Sequence, residues 1–250
     1  MDTTRLNFCF LSGLPRTGST VLSAILSQNP LLSAGQTSPV CQLMWDAQVS
    51  CESAASHHLA ASRRLDFQQE YISAIPHLFY AGTTATTVID KCRSWTMPDN
   101  MAMIRRYITP TPRVIVMTRP IKEIVDSFLA VYEANGLPAD RDVLLVEGSD
   151  PIMRSNDGLR ADAENHLIST IAHLEDVRAA AENQSGEFLF VTYADFIADP
   201  PATLRRIYEF CEWEPFAHNY DQIICTHPED DTVYGLAGLH TVRPMVGAGV

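Results

Sequence analysis

No run of apolar residues in this 250-residue chain is long enough to cross a bilayer, and no charged-then-apolar leader precedes the first hydrophobic segment, which Arg5 and Asn7 run straight into. A spanning helix needs about 20 such residues, so the expectation is a cytoplasmic protein with no membrane partner. The six cysteines (Cys9, Cys41, Cys51, Cys92, Cys211 and Cys225) have no CxxC or zinc-finger spacing, and several sit in apolar runs. They read as reduced, mostly buried thiols rather than a disulfide framework. His218, His227 and His240 are too dispersed for a zinc site, so no metal is expected. There is no basic surplus: the formal charge is −12, which disfavours sequence-independent nucleic-acid binding. A focused cationic cleft remains compatible with that charge, because clefts concentrate field locally. No internal repeat is present, and a hydrophobic share of 46% argues against disorder. The length suits one domain over residues 1–250.

The chain opens on Phe8-Cys-Phe-Leu-Ser-Gly-Leu-Pro-Arg-Thr-Gly-Ser-Thr20, followed at once by Val21-Leu-Ser-Ala-Ile-Leu26. This reads as a buried strand ending at Ser12, a tight loop bracketed by Gly13 and Gly18, and a helix from about Thr17. First-turn N–H groups have no partner inside a helix, so strand, loop and helix start form an anion cradle. The two glycines have the spacing of a nucleotide-triphosphate loop, but Ser19 stands where that motif demands lysine. The positive charge lies inside the loop instead, as Arg16.

Beyond this opening, strands alternate with helices. Thr87–Lys91, Arg113–Thr118 and Phe188–Thr192 read as strands. Helices are expected from Val40 to about Leu59, over 65–80 with an interruption at Pro76, over 99–107, from Ile121 to Asn135 closed by Gly136, over 157–183, and from Pro200. Segment 33–39 reads as a turn-rich loop, 136–157 as irregular, and 231–244 as a glycine-marked loop or hairpin. The fold class is therefore α/β, with a mainly parallel central sheet flanked by helices. Such sheets bind ligands outside the carboxyl ends of their strands. Gly13–Thr20, Asp90 with Lys91, Arg119 and Tyr193 all fall at such ends.

A magnesium-dependent kinase or ATPase would need lysine after the second glycine and an acidic residue closing a neighbouring hydrophobic strand. Here Val114–Met117 runs into Thr118-Arg119, a cation that attracts anions and repels metal, and Asp90 adjoins Lys91. The site reads as one for a phosphate-bearing ligand held by cations and amides without obligatory metal. Arg119 offers a bidentate grip on a second phosphate, with Ser127 eight residues on. Trp45, Trp95 and Trp213 read as packing residues, and of the adjacent Arg105 and Arg106 one faces solvent.

Leu11–Thr20 resembles the 5′-phosphosulfate loop of sulfotransferases that use 3′-phosphoadenosine-5′-phosphosulfate (PAPS). Arg113–Leu129 resembles their 3′-phosphate strand and helix, and 88–95 and 190–196 are similar to further segments of that family. The type is similar to bacterial sulfotransferases related in pattern to protein-tyrosine sulfotransferases. The resemblance implies a P-loop-like sulfotransferase architecture. It also implies sulfuryl transfer to a hydroxyl or amine of a small-molecule, carbohydrate or peptide acceptor, with release of adenosine 3′,5′-bisphosphate (PAP). By position it implies that Gly13, Pro15, Arg16, Thr17, Gly18, Ser19 and Thr20 hold the 5′-phosphate and sulfonate. Arg119 and Ser127 would hold the 3′-phosphate, Tyr193 would position the nucleotide, and Lys91 would assist the leaving oxygen. Arg243 would reach the nucleotide from a shortened closing loop over 231–250. Where tyrosine-sulfating relatives carry a glutamate base, this chain reads Gly35-Gln-Thr-Ser38, so Asp46 stands as the candidate base, with His57 and His58 behind it. A nucleotide kinase or ATPase, and a catalytically silent nucleotide-binding or interaction protein, are the alternatives. The sequence leaves oligomeric state open.

Overall fold

The structure, a computed structural model, describes residues 6–53, 57–58, 61–136, 141–144, 152–155, 186–225 and 228–242. Its centre is a five-stranded, all-parallel sheet. The strands are β1 (Asn7–Gly13), β2 (Leu32–Thr37), β3 (Thr87–Lys91), β4 (Val114–Thr118) and β7 (Phe188–Thr192), in the order β2-β3-β1-β4-β7. Alternation along β1 explains the two faces. Cys9 and Leu11 join a core with Leu22 and Ile25 of α1 (Ser19–Leu26) and Leu204 and Ile207 of a helix at Pro200–Cys211. Phe10 points the other way, into a core with Met44 of α2 (Val40–Glu52), Ile72 of α3 (Ala61–Phe79) and Ile104 of α4 (Pro98–Tyr107). A parallel sheet covered on both faces reads as continuous apolar strands, as β4 and much of β1 and β7 do.

The chain leaves β1 for β2 and β3 on one side, then returns to β4 and β7 on the other. The loop after β1 thus lies between the ends of β3 and β4, a topological switch point where such sheets bind ligands. Helix α5 (Ile121–Ala134) follows β4, α6 (Tyr193–Ala198) follows β7, and α7 is the helix at Pro200–Cys211.

Several expectations are corrected. Residues 33–39 are not a loop: Leu32–Thr37 is the edge strand β2, paired with β3 through Leu32↔Thr87 and Ala34↔Ile89. Gly35, Gln36 and Thr37 disguised it, because an edge strand tolerates polar and glycine residues where only alternate positions are buried. The helix from Val40 stops at Glu52. Pro76 lies inside α3 without ending it, since so close to the carboxyl end it forfeits a single ladder bond. Segment 136–157 contains an antiparallel pair, β5 (Arg141–Leu144) with β6 (Ile152–Ser155). Of the loop or hairpin expected over 231–244, the described residues form the loop, opened by a 3-10 turn at Asp231–Tyr234. The helix expected over 157–183 lies outside the described residues.

Candidate active site

The loop after β1 owes its path to three left-handed residues, Gly13 (φ 134), Arg16 (φ 62) and Gly18 (φ 89). At Gly13 a Cβ would meet the Met117 carbonyl oxygen of β4 at 2.3 Å, and at Gly18 it would meet the Tyr193 ring at 2.8 Å. Both glycines are therefore required by contact as well as by backbone. The fully buried Thr17 donates its hydroxyl to the Leu14 carbonyl at 2.7 Å, and Ser12 ties the loop to the Arg93 carbonyl at 2.8 Å. Gly18 caps α1 without a side-chain bond, so the first-turn N–H groups face the space above the sheet.

That space is a cavity of about 760 Å³, lined by loop residues 13–16 and 18–20 together with Lys91, Arg119, Ser127 and Tyr193. The structure thus brings Gly13, Pro15, Arg16, Gly18, Ser19, Thr20, Lys91, Arg119, Ser127 and Tyr193 onto one wall, whereas the predicted Thr17 does not reach it, being fully buried with its hydroxyl spent on the Leu14 carbonyl. Arg119 lies over the Tyr193 ring at 4.2 Å, donates to the Arg16 carbonyl at 3.0 Å and pairs with Glu123 at 3.1 Å. A stacked guanidinium is held in direction as well as place, at a gain of about 0.5–2 kcal/mol. The Arg16 guanidinium turns away from the helix start, donating Nε to Ser127 Oγ at 3.0 Å and a second N–H to the Leu239 carbonyl. Its left-handed backbone aims the side chain at α5 and the tail. Burial, then the neighbouring Arg119, lowers its pKa from the ordinary arginine value.

Lys91, one of only two lysines in the chain, is buried, with Nζ 3.5 Å from Thr20 Oγ1 and 2.9 Å from Glu229 Oε1. Glu229 also accepts the Thr37 N–H and hydroxyl, at 3.1 and 3.0 Å. Its second oxygen lies 3.2 Å from His240 Nε2, and His240 Nδ1 lies 2.6 Å from Asp231 Oδ1. Burial pushes the Glu229 carboxyl up, but Lys91, His240 and the Thr37 N–H outweigh it and hold the group down at about 2. The tail carrying these residues is anchored on α5. Asn135 exchanges two hydrogen bonds with Ala237, at 2.8 and 3.0 Å, while Leu236 and Leu239 pack on Tyr132. Asp90, next to Lys91, points the opposite way into the core, where Ser38, Trp95 and Tyr80 donate to it at 2.6, 2.7 and 2.8 Å. Burial raises its pKa despite those bonds.

Asp46 is exposed on α2, accepts from Gln42 at 2.7 Å and does not line the cavity. His57 is likewise exposed, bonded to the Glu52 carbonyl. Arg243 lies outside the described residues. Sequence reasoning missed Glu229, Asp231 and His240. The acidic run Glu229-Asp-Asp231, set before a glycine-marked loop ending in His240, was the available signal.

A P-loop-like turn at the switch point of a parallel sheet, flanked by cations from both neighbouring strands, defines a class of anion-handling transferase. The chain belongs to the Sulfotransferase family, whose profile matches residues 9–218. Among solved structures it resembles the sulfotransferase domain of the Synechococcus PCC 7002 olefin synthase, at 17% identity and TM-score 0.55, over 86% of this chain and 77% of that one. It also resembles the sulfotransferase domain of the curacin biosynthetic pathway, at 14% identity and TM-score 0.52, over 85% and 75%. At such identities the likeness is one of fold. Comparison with curated protein sequences gave no match. Among the described residues no helix is long and apolar enough to cross a membrane.

Proposed function

We propose that this protein transfers a sulfuryl group from PAPS to an acceptor hydroxyl or amine and releases PAP. The observation that carries the reading is the convergence, in one cavity of about 760 Å³, of the glycine loop with Lys91 from the end of β3 and Arg119 from the end of β4. The donor set fits a ligand with two separated anionic ends: amides and hydroxyls of 18–20 with Lys91 at one, Arg119 and Ser127 at the other. Arg16, bonded to Ser127 and flanked by Arg119, joins the two ends. Bound there, PAPS supplies a sulfuryl group already activated by its phosphate. The protein's part is to align, exclude water and neutralise charge. Lys91 meets the oxygen on which charge develops, Thr20 lies within its reach, and the Tyr193–Arg119 stack fixes the nucleotide end. None of these roles calls on a metal ion.

The test is calorimetry of PAP against adenosine 5′-monophosphate, with chelator present. At least a tenfold preference for PAP is expected, and equal affinities would overturn the proposal. Magnesium-dependent ATP binding would instead favour a kinase. Arg119→Ala is expected to weaken PAP about 10-fold to 100-fold, the range of a charged hydrogen bond, while Lys91→Ala lowers turnover more than PAP affinity.

A further inference from the structure

The segment 35–38 contains no carboxylate, yet the structure lays one upon it from the far end of the chain. Glu229 Oε1 accepts the Thr37 N–H, the Thr37 hydroxyl and, at 2.9 Å, Lys91 Nζ. The carboxylate is held in direction from behind. His240 Nε2 lies 3.2 Å from Oε2, and Asp231 takes both the His240 ring Nδ1, at 2.6 Å, and its backbone N–H, at 3.1 Å. Glu229 and His240 form the shared wall between the main cavity and a second one of about 350 Å³, lined also by Ile223, Ile224 and Pro228. The carboxylate therefore stands beside the leaving-group lysine, in a residue that borders both cavities. An in-line displacement needs its incoming and leaving oxygens on opposite sides of the transferred group.

We infer that Glu229, positioned by the His240–Asp231 pair, is the proton acceptor for the incoming hydroxyl. This inference rests on the sulfuryl-transfer reading above. In the free protein Glu229 neutralises Lys91. When Lys91 turns to the leaving phosphate oxygen, Glu229 is freed to accept a hydrogen bond from the acceptor. Glu229 takes the hydroxyl proton as the acceptor oxygen bonds to sulfur. The electron pair of the breaking sulfur–oxygen bond stays on the phosphate oxygen beside Lys91, and Glu229 later returns its proton to solvent. Even a weakly basic carboxylate suffices, because a hydroxyl already bonding to sulfur is far more acidic than a carboxylic acid.

Glu229→Gln, Glu229→Asp and His240→Gln separate this role from a merely structural tie. Each is checked by thermal melting, by PAP titration, and by transfer from PAPS to benzyl alcohol and to 4-nitrophenol at about pH 8. Slow single-turnover hydrolysis of PAPS, with water as acceptor, is measured alongside. Glu229→Gln is expected to bind PAP at least as tightly as the parent, since an anion competing for Lys91 is gone. It should lose about 100-fold or more in transfer to benzyl alcohol and in hydrolysis, the usual scale for a general base. The loss should be smaller with 4-nitrophenol, which ionises unaided at that pH. His240→Gln should lower kcat with PAP affinity kept, and Glu229→Asp, which keeps the charge but shortens its reach, should fall between. Parental rates in Glu229→Gln would overturn the inference, as would equal losses of PAP affinity and transfer. So would a parent protein that binds PAP yet neither transfers nor hydrolyses, and that outcome leaves the nucleotide site standing. Failure to prefer PAP over adenosine 5′-monophosphate strikes the underlying reading instead, and is visible in binding alone.

Discussion

A single ion pair, Lys91 with Glu229, joins the strand ends to the tail, and its side chains are 8% and 11% exposed. Removing one member of so enclosed a pair strands the other charge, which typically costs about 3–5 kcal/mol, whereas removing both together costs far less. Lys91→Met is thus expected to destabilise by about 3 kcal/mol, and Lys91→Met with Glu229→Gln by clearly less than the sum of the two single changes. Urea denaturation of the four proteins checks this double cycle. The same pair sets a pH dependence. In the folded chain the Glu229 carboxyl is held down at about 2, against an ordinary value of 4.5. A depressed folded value stabilises fully above the ordinary value, and that contribution is lost as pH falls from about 4.5 to about 2. Screening where the carboxylate meets solvent reduces the full linkage value, leaving on the order of 2 kcal/mol. The stability gap between the parent and Glu229→Gln should therefore narrow between about pH 5 and pH 2. Lys91 and His240 face the carboxylate, with Asp231 behind His240, so the His240→Gln protein is the control for the histidine's share. A gap unchanged across that window would mean that the carboxyl is not depressed.

At the scale of elements, the loop after β1 stands on contacts that a methyl group would break. Gly13→Ala would drive Cβ into the Met117 carbonyl of β4 at 2.3 Å from a backbone with φ 134. The obstacle is backbone, so β1 and β4 would have to separate, and a loss of about 3 kcal/mol or more is expected. Gly18→Ala meets the Tyr193 ring at 2.8 Å, a side chain that can give way. It should cost about 1–2 kcal/mol and disturb the Arg119 stack, so its effect on PAP affinity should exceed its effect on stability. Denaturation curves and calorimetry together separate the two glycines. These strands and this loop were legible in the sequence because local patterns define them: continuous apolar runs at 8–11, 114–117 and 188–191, and glycines at a fixed spacing. Edge strand β2 was not, since Gly35-Gln-Thr37 carries no apolar period and is extended only because β3 lies beside it. The site divides in the same way. Arg16, Lys91, Arg119 and Tyr193 were legible from their places at strand ends. Glu229 was not, because more than a hundred residues separate it from Lys91 and only the tertiary fold introduces them. Asp46 is the nearest acid along the chain, but α2 carries it to solvent.

Across the whole molecule, the formal charge of −12 sets the terms on which an anionic ligand binds. The surface field repels such a ligand, while Arg16, Lys91 and Arg119 converge in one cavity and reverse that field locally. These cations arrive from the loop, from β3 and from β4, and Arg16 and Lys91 are also tied to the tail, through Leu239 and Glu229. A nucleotide with both phosphates would therefore bridge parts of the chain far apart in sequence, and its binding energy would add to the stability of the whole fold. At a concentration of about 100 times its dissociation constant, a ligand confined to the native state stabilises it by about 2.7 kcal/mol. For a chain of this size that corresponds to a rise in melting temperature of about 5–10 °C. PAP is expected to produce such a rise with chelator present, and adenosine 5′-monophosphate at the same concentration a distinctly smaller one. Arg119→Ala should bring the PAP response down at least to that of the monophosphate, because the grip on the second phosphate is removed together with the Tyr193 stack. Glu229→Gln should keep the PAP response in full, since its carboxylate competes with the ligand for Lys91. Differential scanning calorimetry across these proteins tests both at once. Equal responses to the two nucleotides would leave Arg119 without a second phosphate to hold, and the cavity's two-ended design would be refuted.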